Sequence, residues 1–211
     1  MRHTSEEKRL KILQSAAEAF AEKGYYDTSV QNITERAGVS TGTFYIYYKN
    51  KEEILLSLYN QFAEKAKLAI SQTASGNFAD SAEKLAVCTL SLLKLYSGNT
   101  KLSLILLTKT IGLNKTAEEH YYNIFKEISM LIHSIISDMD IPFASDKYIL
   151  SVAFLQVVNG LAAQWLADPS EETFPELCYT VLKYNFNALS IKICSDKINA
   201  LIAANIERND N

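Results

Sequence analysis

Threonine and tyrosine side chains crowd one short segment of the chain, in the run TGTFYIY that begins at residue 41. Thr41 and Thr43 each carry a hydroxyl that can bond a base edge and a methyl group that can touch a thymine methyl. The hydroxyls of Tyr45 and Tyr47 can reach phosphate oxygens. These residue types at this spacing favour contact with DNA through hydroxyl groups rather than through a run of positive charge.

Further residues in and around this run could serve the same chemistry. Ser29 and Gln31 precede it and can hold a phosphate or reach a base. Lys51 follows it, at the start of a predicted helix whose free N–H groups and dipole favour a phosphate. Gly42, inside the run, lets the backbone approach a nucleic acid closely. These residues fit a DNA-binding surface, and they fit equally a plain three-helix bundle with a solvent-exposed tyrosine cluster.

Two short helices joined by a glycine turn must position these side chains. The first follows a predicted capping box at residues 28–31, TSVQ. Gly38 stands where a tight turn needs a positive φ, and Ser40 is a good N-cap for the second helix. Phe44 and Tyr48 are four residues apart and can both face inward. Helix, turn and helix of this size predict a helix-turn-helix.

The net charge of the 211-residue chain does not indicate a nucleic-acid partner. It is -3 overall. Up to residue 65 the chain has nine Lys and Arg against nine Asp and Glu, and after it 12 against 15. Any DNA contact must therefore come from local placement of basic and polar groups.

Residue types with catalytic or metal-binding chemistry are sparse. The three cysteines are odd in number and widely spaced, which favours reduced, buried thiols: Cys88, Cys178 and Cys194. The histidines have no paired metal-ligand spacing. No nucleophile–base pair or phosphate-binding loop is evident. We therefore expect no enzyme activity, no metal and no cofactor.

The whole chain shows helical periodicity and no strand pattern, which predicts an all-α fold of about nine to ten helices. We expect a three-helix helix-turn-helix domain at residues 1–49. A connecting helix at 50–72 would lead into a helical domain at 73–211.

One stretch, residues 149–167, carries no charge and is nearly long enough to cross a bilayer. Its amides, among them Gln156 and Asn159, are costly in lipid but ordinary in a buried helix with partners. We interpret it as a core or interface helix and expect no membrane partner.

The run GVSTGTFYIYYKNKEEIL, from Gly38 to Leu55, strongly resembles the signature of the TetR/AcrR family of transcriptional regulators. The resemblance covers about residues 8–60. It implies phosphate-holding positions at Tyr45 and Lys51. Thr41 stands where family members often have a longer polar side chain, which leaves open the bases that are read. The implied base-reading positions are Gln31, Thr41, Gly42, Thr43, Ile46 and Tyr47.

The same resemblance implies that the helical C-terminal domain holds a small-molecule pocket and dimerises through its last two long helices. The predicted ligand-binding residues are Phe62, Leu92, Tyr96, Tyr122, Phe125 and Asn159. The predicted dimer interface comprises Leu161, Trp165, Val181 and Tyr184.

The function implied is a cytoplasmic, homodimeric, sequence-specific DNA-binding regulator acting on a palindromic operator of double-stranded DNA. We expect a repressor that a small apolar or aromatic effector releases. The alternative is a helix-turn-helix protein without a small-molecule ligand, controlled by a protein partner.

Overall fold

The computed structural model describes residues 2–109, 114–142, 146–169 and 172–206. Within these ranges the chain forms ten α-helices and one short π-helical segment, and it forms no strand. The all-α prediction is confirmed. The helices are α1 (Arg2–Lys23), α2 (Val30–Ala37), α3 (Thr41–Tyr47), α4 (Lys51–Ala74), α5 (Ser81–Gly98), α6 (Thr100–Leu104), which continues into the π-helical Ile105–Lys109, α7 (Lys115–Ile136), α8 (Lys147–Ala167), α9 (Phe174–Ala188) and α10 (Ser195–Ile206).

Side-chain caps explain where several of these helices begin. The Asp80 carboxylate accepts a hydrogen bond from the backbone N–H of Glu83 at 2.7 Å, ahead of α5. Asp146 caps α8 in the same way. Ahead of α9, Thr173 and Glu176 form a reciprocal capping box. Each cap satisfies N–H groups that have no acceptor within the helix.

The chain divides into two compact units. The first contains Met1–Ala63 and Lys101–Ile124, and the second contains Glu64–Thr100 and Phe125–Asn211. The division falls inside α4, which is unbroken from Lys51 to Ala74. The boundaries expected at residues 49/50 and 72/73 remain a prediction.

The first unit has an apolar core beneath the helix-turn-helix. Ile12 and Phe20 on α1, Ile33 on α2, Phe44 on α3 and Ile54 on α4 are all fully or almost fully buried. α1 packs against α2, and α2 packs against α3. This core fixes which side of α3 faces outward.

The second unit is built around α5, which packs against α8, α9 and α10. Leu85, Leu93 and Tyr96 on α5 are buried, as are Phe186 on α9 and Ile198 on α10.

α8 departs from this pattern of burial. Of the described helices, it is the one whose length and composition would allow it to cross a membrane, and 39% of its apolar 18-residue window is buried. The rest of that window is half-buried or exposed although it carries no charge. A buried inner face and an uncharged outer face are what a helix at an interface needs.

Candidate DNA-binding interface

The start of α2 differs in detail from the predicted capping box at residues 28–31. The cap is Ser29, whose hydroxyl accepts from the Asn32 backbone N–H at 3.1 Å while the Asn32 side chain accepts from the Ser29 N–H at 3.0 Å. Thr28 is buried instead, and its hydroxyl donates to the carbonyls of Gly24 and Ala19, at 2.7 and 3.1 Å. Thr28 therefore ties the connection to α1, and Ser29 caps α2.

The turn between α2 and α3 has the predicted geometry. Gly38 has φ +64° and its N–H bonds the end of α2, a left-handed conformation that a residue with a Cβ rarely adopts. Ser40 then caps α3 by accepting from the Thr43 N–H at 3.2 Å. The Nζ atom of Lys11 lies 3.7 Å from the place that a Cβ on Gly38 would occupy. A lysine from α1 thus stands beside the turn.

α3 separates a buried side from an exposed side as the sequence predicts. Phe44 is fully buried and Tyr48, just after the helix, is 3% exposed. On the opposite side Ile46 is 75% exposed and Tyr45 is 56% exposed. A large apolar side chain that faces solvent on a short polar helix is suited to meet a thymine methyl.

Several of the predicted DNA-contacting groups have partners within the protein. The Thr43 and Ser40 hydroxyls lie 2.9 Å apart, and the Tyr47 hydroxyl lies 3.1 Å from that of Ser5. Gln31 donates from Nε2 to Glu35 at 2.8 Å. Gln31 must release this carboxylate before it can read a base.

Gly42 is exposed, and neither its backbone conformation nor its packing requires a glycine. A Cβ there would lie 3.8 Å from the Ser40 hydroxyl, an ordinary contact, and the backbone is not left-handed. The fold would therefore tolerate a side chain here, and close approach of DNA at Gly42 stays a prediction.

Ion pairs neutralise part of the positive charge near the interface. The Arg36 guanidinium contacts Glu18 at 3.0 Å and also pairs with Glu22. Hydrogen bonding to Arg36 lowers the pKa of Glu22, and the same bonds raise the pKa of Arg36. Lys11 and Lys49 are exposed and form no ion pair with any residue in the described ranges. Sequence reasoning missed Lys11, because only the packing of α1 on α2 brings it to the turn.

Lys51 is the predicted site residue whose surroundings differ most from expectation. Its ammonium group donates to three backbone carbonyls, those of Tyr25, Thr28 and Tyr26, at 2.5, 2.8 and 3.2 Å. An ammonium has three hydrogens to donate. All three are directed to backbone carbonyls in the free protein, so the phosphate contact predicted for Lys51 would require it to release at least one of them.

The six predicted ligand-binding residues are divided between the two units. Phe62 and Tyr122 belong to the first unit, and Tyr122 is 58% exposed. Leu92, Tyr96, Phe125 and Asn159 are buried in the second unit. There the Tyr96 hydroxyl donates to the Asn159 carbonyl oxygen at 2.6 Å, and the Asn159 Nδ2 has no hydrogen-bond partner among the described residues.

A small apolar cavity lies inside the second unit, with a volume of about 10 Å³, room for little more than one water molecule. The polar groups among its lining residues are already occupied: the Thr89 hydroxyl donates to the Leu85 carbonyl at 2.7 Å, and the Cys88 thiol contacts the Ile70 carbonyl at 3.8 Å. The cavity therefore offers contacts to hydrocarbon and no free hydrogen bond. It is lined by Ile70, Leu85, Cys88, Thr89, Leu92, Ile132, Phe154 and Val158.

The predicted dimer residues differ in exposure. Tyr184 is 59% exposed, and Leu161 is half-buried beside it. Trp165 is half-buried and donates from its indole N–H to the Glu172 carbonyl at 2.8 Å. Val181 is fully buried, so it has no surface for a partner, and this part of the prediction needs correction. Thr180 beside it faces outward. A shallow depression is lined by Val157, Gly160, Leu161, Thr180 and Tyr184.

Residues 12–58, which span the helix-turn-helix, match the family described as bacterial regulatory proteins, tetR family. A second match extends over most of the chain. The fatty acid metabolism regulator protein of Bacillus subtilis is 29% identical over 187 residues, which are 87% of this chain and 90% of that relative. The chain belongs to the TetR family. It is a DNA-binding transcriptional regulator and not an enzyme.

Solved structures share the fold of this TetR-family chain over most of its length. The fatty acid degradation regulator FadR from Bacillus halodurans has a TM-score of 0.74 at 21% identity, covering 86% of this chain and 96% of that one. FadR from B. subtilis, solved in complex with stearoyl-CoA, has a TM-score of 0.71 at 24% identity and covers 87% and 99%. The likeness extends through both units of the chain.

Proposed function

We propose that this TetR-family regulator is a homodimeric repressor that binds a palindromic operator and leaves it when a long-chain acyl-CoA binds. The observation that carries the proposal is the match along nine-tenths of a fatty acid metabolism regulator. A structural neighbour holds stearoyl-CoA. As a regulator of bacterial genes, the protein would act in the cytoplasm.

The chemistry of the apolar cavity supports a hydrocarbon effector. A saturated acyl chain brings no hydrogen-bonding group, so it suits a cavity whose hydroxyl and thiol hydrogens already have acceptors. Each buried methylene would add roughly 0.8 kcal/mol of favourable transfer free energy. This narrows the apolar or aromatic effector expected from the sequence to a molecule with a long alkyl chain.

The size of the cavity constrains how such an effector acts. A volume of about 10 Å³ lies far below the roughly 300–1,000 Å³ of typical ligand pockets. A long acyl chain would therefore bind a conformation in which the core has opened. An effector that binds one conformation more tightly shifts the population toward it, and we propose that the opened conformation has the lower affinity for DNA.

On the DNA side, we propose that α3 lies in the major groove. Thr41, Thr43 and Ile46 would read bases there, with Gly42 admitting close approach and Tyr45 holding a phosphate.

Gln31, Tyr47 and Ser29 would contact DNA after small changes from the free protein. Gln31 would break its hydrogen bond to Glu35, and Tyr47 would break the one to Ser5. Ser29 would bond a phosphate while it still caps α2. The two helices of a dimer would meet half-sites about 34–36 Å apart or a small multiple of that spacing.

For the dimer, we propose that the outer sides of α8 and α9 pack against the same surfaces of a second copy. The shallow depression around Gly160 and Leu161 is apolar and open, and Tyr184 projects beside it. A two-fold axis makes such a surface self-complementary. Trp165 would lie at the edge of this interface.

One observation favours the alternative, a regulator without a small-molecule ligand: the cavity is smaller than a typical effector site. The two functions differ in their response to acyl-CoA. A ligand that binds the folded state raises the melting temperature. The acyl-CoA sensor should therefore be stabilised by stearoyl-CoA, whereas the ligand-free regulator should not.

A two-step experiment tests the proposal. In the first step, wild-type protein selects duplexes from a random pool, and we expect a palindrome to emerge. In the second, melting is followed with coenzyme A and with acyl-CoAs of increasing chain length. We expect stabilisation that grows with chain length and none with coenzyme A. Equal stabilisation by coenzyme A would contradict recognition of the acyl chain.

A further inference from the structure

We propose that Lys51 is a positioning residue that holds the connection between α1 and α2, and that it does not bind a DNA phosphate directly. Its ammonium lies 2.5 Å from the Tyr25 carbonyl oxygen, 3.2 Å from that of Tyr26 and 2.8 Å from that of Thr28. Three acceptors use all three of its hydrogens. This inference rests on DNA binding by the family and is independent of the proposed effector.

The ammonium is also covered from one side by an aromatic ring. The Nζ atom lies 4.3 Å from the centroid of the Tyr25 ring, within the range of a cation–π interaction. That ring in turn packs on Phe20 of α1, with centroids 5.4 Å apart. Partial burial lowers the pKa of Lys51, as expected for an ammonium turned toward the protein.

The carbonyls that Lys51 gathers belong to the segment that leads into α2. Thr28 in this segment is anchored to α1 through its hydroxyl, and Ser29 caps α2. Three carbonyls that point toward one place repel one another unless a cation lies among them. Lys51 therefore fixes the path by which the chain enters α2, the helix against which α3 packs.

The end of α4 that contains Lys51 is itself a poor site for an anion. The Glu53 carboxylate accepts from the Lys49 N–H at 2.5 Å, and the Glu53 N–H donates to Asn50 at 2.8 Å. Glu52 and Glu53 both lie in the first turn. Carboxylates at a helix N-terminus use the dipole that would otherwise attract a phosphate.

The test compares Lys51→Met, Lys51→Arg and the matched control Lys49→Met, which removes an exposed positive charge two residues away. Amide hydrogen exchange of Thr28, whose N–H donates to the Tyr25 carbonyl at 3.4 Å, reports the connection in the free protein. Affinity for the duplex selected by the wild type is then measured against salt concentration. Each lost phosphate contact lowers the slope of log affinity against log salt by about 0.9.

For Lys51→Met we expect Thr28 protection to fall by about tenfold or more, and affinity to fall at every salt concentration with an unchanged slope. Lys51→Arg should behave like Lys51→Met, because a planar guanidinium cannot converge on three carbonyls as an ammonium does. Lys49→Met should leave Thr28 protection unchanged.

Three results would overturn the inference. They are unchanged Thr28 protection in Lys51→Met, a slope of log affinity against log salt that Lys51→Met lowers by about 0.9, and wild-type affinity of Lys51→Arg for the duplex. If Lys51→Met does not fold, the NMR resonance of the Lys51 ammonium group in the wild type tests whether this group contacts a phosphate. It should not move when the duplex is added, and a shift would show a phosphate contact. If the wild type selects no duplex, the operator proposal fails, while hydrogen exchange still tests the connection.

Discussion

At the scale of single residues, the outer side of α3 combines exposed groups with groups that are already bonded. Ile46 and Tyr45 face solvent, whereas the hydroxyls of Thr43 and Tyr47 have partners in the free protein. Exchanging such a weak internal hydrogen bond for one to a base or phosphate costs little. The interface can therefore form with small side-chain rearrangements.

Replacing Gly42 with alanine separates the needs of the fold from those of DNA binding. The added Cβ would meet the Ser40 hydroxyl at 3.8 Å, and alanine favours a helix over glycine by about 1 kcal/mol. We expect calorimetry to show an unchanged or raised melting temperature. Duplex affinity should fall by about tenfold or more, because a steric clash of 1.4 kcal/mol is a tenfold loss.

Gly98→Ala, at the end of α5, is the matched control for Gly42→Ala. A Cβ on Gly98 meets nothing within 4 Å, so duplex affinity should not change. If Gly42→Ala bound the duplex as tightly as Gly98→Ala does, the close approach of DNA to this backbone would be refuted.

The three cysteines should differ sharply in reactivity with a thiol reagent. Burial raises the pKa of Cys88 to about 11 and that of Cys178 to about 12, whereas Cys194 is exposed. Because the thiolate is the reacting form, one thiol per chain should react rapidly at pH 8, and the two buried thiols should stay protected below pH 11. Rapid labelling of two or three thiols in the folded protein would contradict this burial. As a control, all three thiols should react in the unfolded protein.

Residue-level sequence reasoning succeeded where the partner is local. Ser40 caps the helix that follows it, and Gly38 adopts the left-handed turn, because both depend on neighbouring atoms. It missed the internal hydrogen bonds of Lys51 and Thr28, whose partners lie up to 26 residues away. Those contacts require the packing of α1, α2 and α4, which hydrophobic periodicity does not specify.

At the scale of helices, α8 has two faces that differ in burial although both have an uncharged sequence. Phe154 and Val158 are buried in the second unit. Gly160 and Leu161 line the outer depression. The sequence predicted a core or interface helix but could not assign the faces, since both are apolar. The π-helical turn at Ile105–Lys109 has no sequence signal comparable to a cap.

Two substitutions on α9 should separate dimerisation from folding. Tyr184→Glu places a charge on the exposed outer side, and we expect sedimentation to show loss of the dimer with a folded protomer. Val181→Ala removes two buried methyl groups, so it should lower the free energy of unfolding by roughly 1–3 kcal/mol and leave self-association of the folded chain intact. A Tyr184→Glu protein that sediments as the wild type does would argue against this interface.

At the scale of the whole molecule, DNA binding and effector binding have different structural support. The helix-turn-helix has a family match over residues 12–58 and an α3 whose exposed side suits the major groove. The effector proposal has a relative matched over most of its length and a small apolar cavity. The sequence alone predicted the DNA-binding role from a local motif. The alkyl nature of the effector could not be predicted, because the cavity is formed by residues from four separate helices.

The most direct measurement is fluorescence anisotropy of the selected duplex bound to the wild-type protein, titrated with stearoyl-CoA. Coenzyme A and a short-chain acyl-CoA serve as controls. The matched variant is Val158→Phe, which puts a larger side chain where the acyl chain would enter the apolar core. We expect stearoyl-CoA to release the duplex and the two controls to leave it bound, with a clearly weaker response in Val158→Phe protein that still binds the duplex. An unchanged anisotropy with saturating stearoyl-CoA would contradict release of the operator by a long-chain acyl-CoA.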